Sequence, residues 1–290
     1  MRKNNLGERM KEYERASDVK LTRRLPMIIR LDGKAFHSWT KKSGCIRPFD
    51  HRLMDMMAAL TQYLCENIGG AELGYTQSDE ISILVRDDQN IDTDAWFDKR
   101  LQKVVSVAAS LATYWFNANN MFEKKEPAFF DARAFVLPES EVRNYFIWRQ
   151  EDATTNSLSM LAQSLCRHNE LQNKKWAELQ EMCWQKGRNW NDLEVVEKRG
   201  ACIYRHEVEV SGRDGPVKRM KFFIDRNIPI FTSPDADAWW SALVTPDILR
   251  KTSAAKQLAA LRSVAGRWED DRSAAEIIAE IEGARRRMFP

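Results

Sequence analysis

The chain has 290 residues, 43% of them hydrophobic and 30% charged, with 45 Lys and Arg against 42 Asp and Glu. Such a composition fills a globular core and excludes collagenous, low-complexity and disordered chains. No apolar run approaches the roughly 18 residues of a membrane span, and the opening stretch lacks the apolar centre of a secretory signal, so the expected location is the cytoplasm.

In chain order, residues 25–31 (LPMIIRL) read as a buried strand that stops at the turn Asp32-Gly33. Leu53, Met57, Leu60, Leu64 and Ile68 recur at helical spacing, with Asp50 as N-cap and Gly69 as stop. Residues 71–75 and 80–86 alternate as a hairpin joined by Thr76-Gln77-Ser78-Asp79. Phe97, Leu101, Val104, Ala108, Leu111 and Trp115 mark a second long helix, with Arg100 and Lys103 on its polar flank. A strand over 129–138 completes a β-α-β-β-α-β order, which is the split, ferredoxin-like arrangement.

Residues 139–199 read as helical, with a break at 169–174, and Phe146, Ile147 and Trp148 read as core packing. A second hairpin is expected over 201–210 and 218–224, then a mostly helical tail with a last segment at 273–287 that ends in Arg285-Arg286-Arg287. The expected class is α/β (α+β): a palm-like core at 1–138, a helical region with a hairpin at 139–235, and a helical extension at 236–290.

The five cysteines are scattered without a C-x-x-C, and the four histidines form no close pair, which argues against a disulfide framework or a zinc site. The net charge of +3 names no partner by itself. Its distribution says more. Residues 1–24 carry eight Lys and Arg, and residues 41–52 carry Lys41, Lys42, Arg47 and Arg52 against Asp50 alone.

In the split order the first strand lies beside the third, so Asp32 meets the hairpin pair Asp79-Glu80 at one edge. Three carboxylates gathered there repel one another unless a hard cation binds, and Mg²⁺ suits one or two carboxylates completed by substrate phosphates. Two such ions stabilise the attacking and leaving oxygens of phosphoryl transfer. Gly33 lets the backbone of 33–37 (GKAFH) approach a triphosphate, with Lys34, Arg47, Arg100, Lys103 and Arg133 as nearby cations. Arg100 and Lys103, three apart on one helix, share a face.

The segments RLDGKAFHSW, RPFD, GYTQSDEISILV, FDKRLQKVVS, FDARAFVLP and IWRQEDATTNSL, in order from about Lys20 to Leu158, resemble the tRNA-His guanylyltransferase superfamily. The resemblance implies a polymerase palm run 3′-to-5′. Two Mg²⁺ are held by Asp32, the Gly33 carbonyl and Asp79, with Glu80 as a further catalytic residue. The implied nucleotide site comprises Asp32, Gly33, Lys34, Ala35, Phe36, His37, Ser78 and Asp79. Arg47, Asp50, Arg100, Lys103 and Arg133 match positions that handle the triphosphate or the RNA 5′ end, and Arg149 and Asn156 contact RNA. In such enzymes ATP activates a 5′-monophosphorylated tRNA end, and the 3′-hydroxyl of GTP then attacks it and releases AMP. A homotetramer is also implied.

One departure is visible. The tRNA-His-specific enzymes carry His-Ile-Asn-Asn-Leu-Tyr-Asn-Thr after Trp-Arg-Gln, whereas this chain has Thr154 to Leu161 (TTNSLSML). That is more like the Thg1-like branch, which repairs truncated tRNA 5′ ends by templated addition. Two other readings of the same residues are a palm-type nucleotide cyclase or oligonucleotide synthase that needs no RNA, and a non-catalytic RNA-binding module.

Overall fold

A computed structural model describes residues 5–89, 92–212 and 215–244. The expected helix at 273–287 and the triple arginine lie outside them. The stretch Met1–Thr245 forms one compact unit.

An amphipathic helix α1 (Leu6–Ala16), capped by Asn5, precedes β1 (Met27–Gly33). Met27, Ile28, Ile29 and Leu31 are fully buried, as a central strand covered on both faces requires. The strand runs through Asp32 and Gly33 instead of stopping at them. A short α2 (Phe36–Ser43) and a long α3 (His51–Asn67) follow, and Asp50 caps α3 as expected, its carboxylate accepting from the Arg52 N–H at 3.0 Å. The hairpin of β2 (Ala71–Gln77) and β3 (Glu80–Val85) turns through Ser78 and Asp79 alone, two residues shorter than the expected link.

The second long helix, α4 (Leu101–Ala118), starts later than expected. A 3₁₀ turn over Trp96–Lys99 precedes it, and Arg100 is its N-cap residue in extended conformation, not a member of the helix. The strand β4 (Phe130–Val136) then closes the expected order.

Beyond Pro138 come α5 (Glu139–Leu165), the short α6 (His168–Leu171), α7 (Trp176–Gln185) and α8 (Val195–Arg199). The break expected at 169–174 is thus partly helical. The second hairpin, β5 (Ala201–Gly212) and β6 (Gly215–Asp225), is longer than expected, and α9 (Asp235–Val244) follows it.

All strands join one antiparallel sheet in the order β4-β1-β3-β2-β5-β6. The ferredoxin-like order β4-β1-β3-β2 is therefore present, and the second hairpin extends the same sheet through β2. Side chains alternate across the strands, so two cores form. Ile29, Leu31, Ile81 and Ile83 pack with Leu60 and Leu64 of α3 and with Ala108 and Phe116 of α4. Ile28 and Leu84 face the other way and pack with Val142, Tyr145 and Phe146 of α5 and with Phe231 and Trp240. Helix α5 and the apolar residues around Phe231 and Trp240 cover much of this second face, and charged residues occupy its end near Asp32 and Glu80.

The sheet has two distinct ends. Gly33, Gln77, Glu80, Phe130 and Thr76 with its partner Ala201 mark one, and Met27, Ala71, Val85 and Val136 mark the other. No described helix is long and apolar enough to cross a membrane.

Candidate active site

Strand register assembles the acidic end. Asp32 stands opposite Glu80 on one side and Asp131 on the other, and Arg30 stands opposite Ser82 and Arg133. Directly opposed residues of antiparallel strands project to the same face. Arg30, Asp32, Glu80, Asp131 and Arg133 therefore share the face that α5 partly covers. The hairpin turn comes alongside, because the Gly33 N–H donates to the Asp79 carbonyl at 3.1 Å.

Asp79 sits at a strained turn, with Ser78 in the left-handed region at φ 52°. Such backbone costs roughly 1 kcal/mol or more for a non-glycine residue and tends to occur where function holds it. The Ser78 hydroxyl donates to the Asp79 carboxylate at 3.0 Å. Burial raises the Asp79 carboxyl above its ordinary value, the Ser78 hydrogen bond opposes this, and the charge of Asp32 pushes it further up. Among the described residues neither Asp32 nor Asp79 has a cationic partner.

The expected third carboxylate is engaged elsewhere. Glu80 is 5% exposed and pairs with two guanidinium groups, Arg30 and Arg149, the latter at 2.8 Å. Burial pushes its carboxyl up against the pull of Arg149 and Arg30. No trio of His, Cys, Asp or Glu side chains suited to a metal occurs among the described residues. The convergence expected of three carboxylates thus narrows to the pair Asp32 and Asp79. Two unpaired carboxylates at one edge still suit a hard divalent cation whose remaining ligands come from a backbone carbonyl and substrate phosphates.

The anion donors also differ in detail from expectation. The N–H groups of Gly33 and Lys34 are used internally, by the Asp79 and Phe129 carbonyls. Gly33 serves packing instead, since a Cβ there would lie 2.2 Å from the Phe36 ring. The next residues take over. Ala35 is left-handed at φ 54° and provides no side-chain cap, and among the described residues the first N–H groups of α2, at Phe36 and His37, have no internal acceptor. An uncapped helix N-terminus is suited to phosphate.

Beside it lies a cavity of about 290 Å³, lined among others by His37, Arg47, Ser78, Asp79 and Asn156. Arg47 is exposed and has no ion-pair partner among the described residues. Asp50 also lines the cavity, but its carboxylate is turned inward. It accepts from the Ile46 N–H at 2.8 Å and from the Arg52 side chain at 2.7 Å, and the Arg52 hydrogen bond holds it below the ordinary carboxylate value. It braces the Arg47 loop and leaves phosphate to others.

Two expected cations lie apart from this arrangement, and a third, Arg149, is buried beneath it. Arg100 and Lys103 flank the start of α4, whereas the end of α4 meets the acidic edge: Asn117 donates to the Ala128 carbonyl at 2.7 Å. An 18-residue helix rises about 27 Å, so both cations sit at the opposite end of the sheet. There Arg100 lies 3.4 Å from Asp18, and the Lys103 ammonium lies 4.8 Å from the Phe97 ring centre. Arg149, expected to contact RNA, is 2% exposed and holds Glu80 and Asp152. Arg133 shares the acidic face, 3.7 Å from Asp131, and Lys34 is exposed directly after Gly33, at the end of β1.

Sequence reasoning missed Arg30, Asp131 and the α5 residues Ala153, Ser157 and Met160 that line the cavity. Arg30 and Asp131 were accessible in principle, because Arg30 is two residues from Asp32 and Asp131 two from Arg133, the period of one strand face. The α5 residues carry no local signal of chemistry.

A family description for tRNAHis guanylyltransferase matches residues 7–138. A solved structure of a bacterial Thg1-like protein in complex with ATP is 41% identical, with a TM-score of 0.74, over 83% of this chain and 99% of that one. A bacterial Thg1-like protein in complex with GTP is 40% identical with a TM-score of 0.66, over 82% and 96% respectively. A probable tRNA(His) guanylyltransferase of Bos taurus is 26% identical over 78% of this chain and 83% of its own length.

Proposed function

The chain belongs to the tRNAHis guanylyltransferase family and is a nucleotidyltransferase, and we propose that it adds nucleotides 3′-to-5′ at the 5′ end of tRNA in a Mg²⁺-dependent reaction. The observation that carries this reading is the neighbouring pair Asp32 and Asp79, without a cationic partner among the described residues, beside the uncapped start of α2 and the cavity that holds Arg47.

Asp32 and Asp79, with the Gly33 carbonyl, are the groups that hold the metal. When bound, Mg²⁺ neutralises charge on the phosphoryl oxygens and acidifies the attacking hydroxyl. The N–H groups of Phe36 and His37 and the Arg47 guanidinium take the triphosphate. Glu80 fixes Arg30 and Arg149 beneath the site and so keeps the face rigid. ATP first transfers adenylate to the 5′-monophosphate of the RNA with loss of pyrophosphate. The 3′-hydroxyl of the incoming GTP then attacks that phosphate, its proton leaves, and AMP departs.

Identity of 41% to a bacterial Thg1-like protein against 26% to the Bos taurus relative supports the repair-type branch, as does Thr154 in place of histidine. Templated addition to several tRNAs is the expected substrate pattern, and the cytoplasm the expected location. The expected assembly is the homotetramer that the resemblance implies.

The test offers 5′-monophosphorylated tRNAs lacking their first nucleotides, with ATP and each of the four NTPs in turn. Extension by the nucleotide complementary to the facing base supports the reading, and extension by G regardless of that base rejects the templated branch. Product from NTPs alone, without RNA, would identify a cyclase or oligonucleotide synthase.

A further inference from the structure

Trp148 departs most from its expected place. Its neighbour Phe146 is fully buried, whereas Trp148 is 51% exposed. The Arg149 guanidinium lies 4.1 Å from the Trp148 ring centre, Arg30 lies 5.9 Å away, and the edge-on Tyr145 ring 5.9 Å away. Arg149 reaches Glu80 at 2.8 Å, and Glu80 is the cross-strand partner of Asp32. The half-open indole is therefore clamped by the same ion pairs that underlie the acidic edge. It stands beside the sheet face that carries Asp131 and the 57%-exposed Arg133.

Helix α5 presents other residues to the cavity: Ala153, Asn156, Ser157 and Met160, and not Trp148. Whatever stacks on the ring is thus not the nucleotide in the cavity. Joining two nucleotidyl reactants at Asp32 and Asp79 requires two approaches. The cavity is one, and the open sheet face beside Trp148 is the other.

We propose that Trp148 is a stacking platform for the base of the 5′-terminal nucleotide of the RNA, with Arg133 beside it for the backbone phosphate. The proposal rests on the 5′-extension reading above. A flat aromatic surface accepts any base, because every base offers a π-face. That tolerance suits an enzyme that must accept RNA ends of different sequence.

The test measures binding of a 5′-monophosphorylated RNA hairpin, labelled at its 3′ end with a fluorophore, whose 5′-terminal nucleotide is either intact or abasic. Wild-type protein is expected to prefer the intact end by about tenfold. Trp148→Ala loses that preference by weakening only the intact RNA, and Trp148→Phe keeps most of it. A ring that merely props Arg149 would weaken both RNAs equally when removed, and a Trp148→Ala protein that retains the preference overturns the proposal. The two readings also fail separately. Wild type that shows the Trp148-dependent preference but extends no RNA loses the reaction and keeps the platform, whereas extension with a preference indifferent to Trp148 loses the platform alone.

Discussion

Among the described residues Asp32 and Asp79 have no cationic partner, so removing either carboxylate breaks no ion pair there and removes the groups expected to bind the cation. Asp32→Ala and Asp79→Ala are expected to lower 5′-extension by about 10³-fold or more, corresponding to several kcal/mol of lost charge stabilisation. Their melting temperatures should stay within about 3 °C of wild type. Glu80 behaves in the opposite sense. Glu80→Ala leaves Arg30 without its anion and the buried Arg149 with Asp152 alone, an outcome worth about 3 kcal/mol of stability, read by urea unfolding. Activity then falls through loss of fold, with a milder effect in Glu80→Asp. At Gly33, an alanine must displace the Phe36 ring, which packs against Trp39, Phe116 and Phe130. Overpacking of this kind costs about 1–3 kcal/mol.

At the scale of elements, loops are held by buried carboxylates at both ends of the sheet. Asp50 caps α3 and binds the Ile46 N–H, which carries the Arg47 loop. Asp50→Ala is expected to cost about 1–2 kcal/mol and to raise the nucleotide KM more than it lowers kcat, since it frees the loop without touching the metal ligands. At the far end the fully buried Lys99 ammonium donates to Asp87 at 2.8 Å and to the Leu25 carbonyl at 2.7 Å, pinning the segment before β1. Burial drives the Asp87 carboxyl up, but the Lys99 and Arg24 hydrogen bonds outweigh it and hold the group below its ordinary value. A depressed carboxyl contributes its full stability above the ordinary carboxylate range and loses it as the pH falls through the folded value. Unfolding free energy should therefore decline below about pH 4, and Asp87→Asn should flatten that decline while lowering stability at neutral pH.

Across the whole molecule, the split strand order was legible because strand and helix periods alternate cleanly from Met27 to Val136 and because Asp50 is a strong cap. The same order by itself places Asp32 near Asp79. What stayed hidden was commitment and direction. Nothing local in Asp79-Glu80 tells that Glu80 is spoken for by Arg30 and by Arg149, the latter 69 residues downstream in sequence. Nor does the shared spacing of Arg100 and Lys103 tell which end of α4 meets the acidic edge, a matter of strand direction. The second hairpin read correctly as a hairpin, but its attachment to β2 is a long-range pairing without a local signature. The central claim, addition in the 3′-to-5′ sense, is tested most directly by the fate of a label. A 5′-monophosphorylated truncated tRNA, ATP and GTP labelled at the γ-phosphate are sampled at short times. Attack by the GTP 3′-hydroxyl leaves the incoming triphosphate on the new 5′ end, so the γ-label enters the RNA of the wild-type protein and not of Asp79→Ala. RNA that grows while the γ-label is released as pyrophosphate would contradict the account.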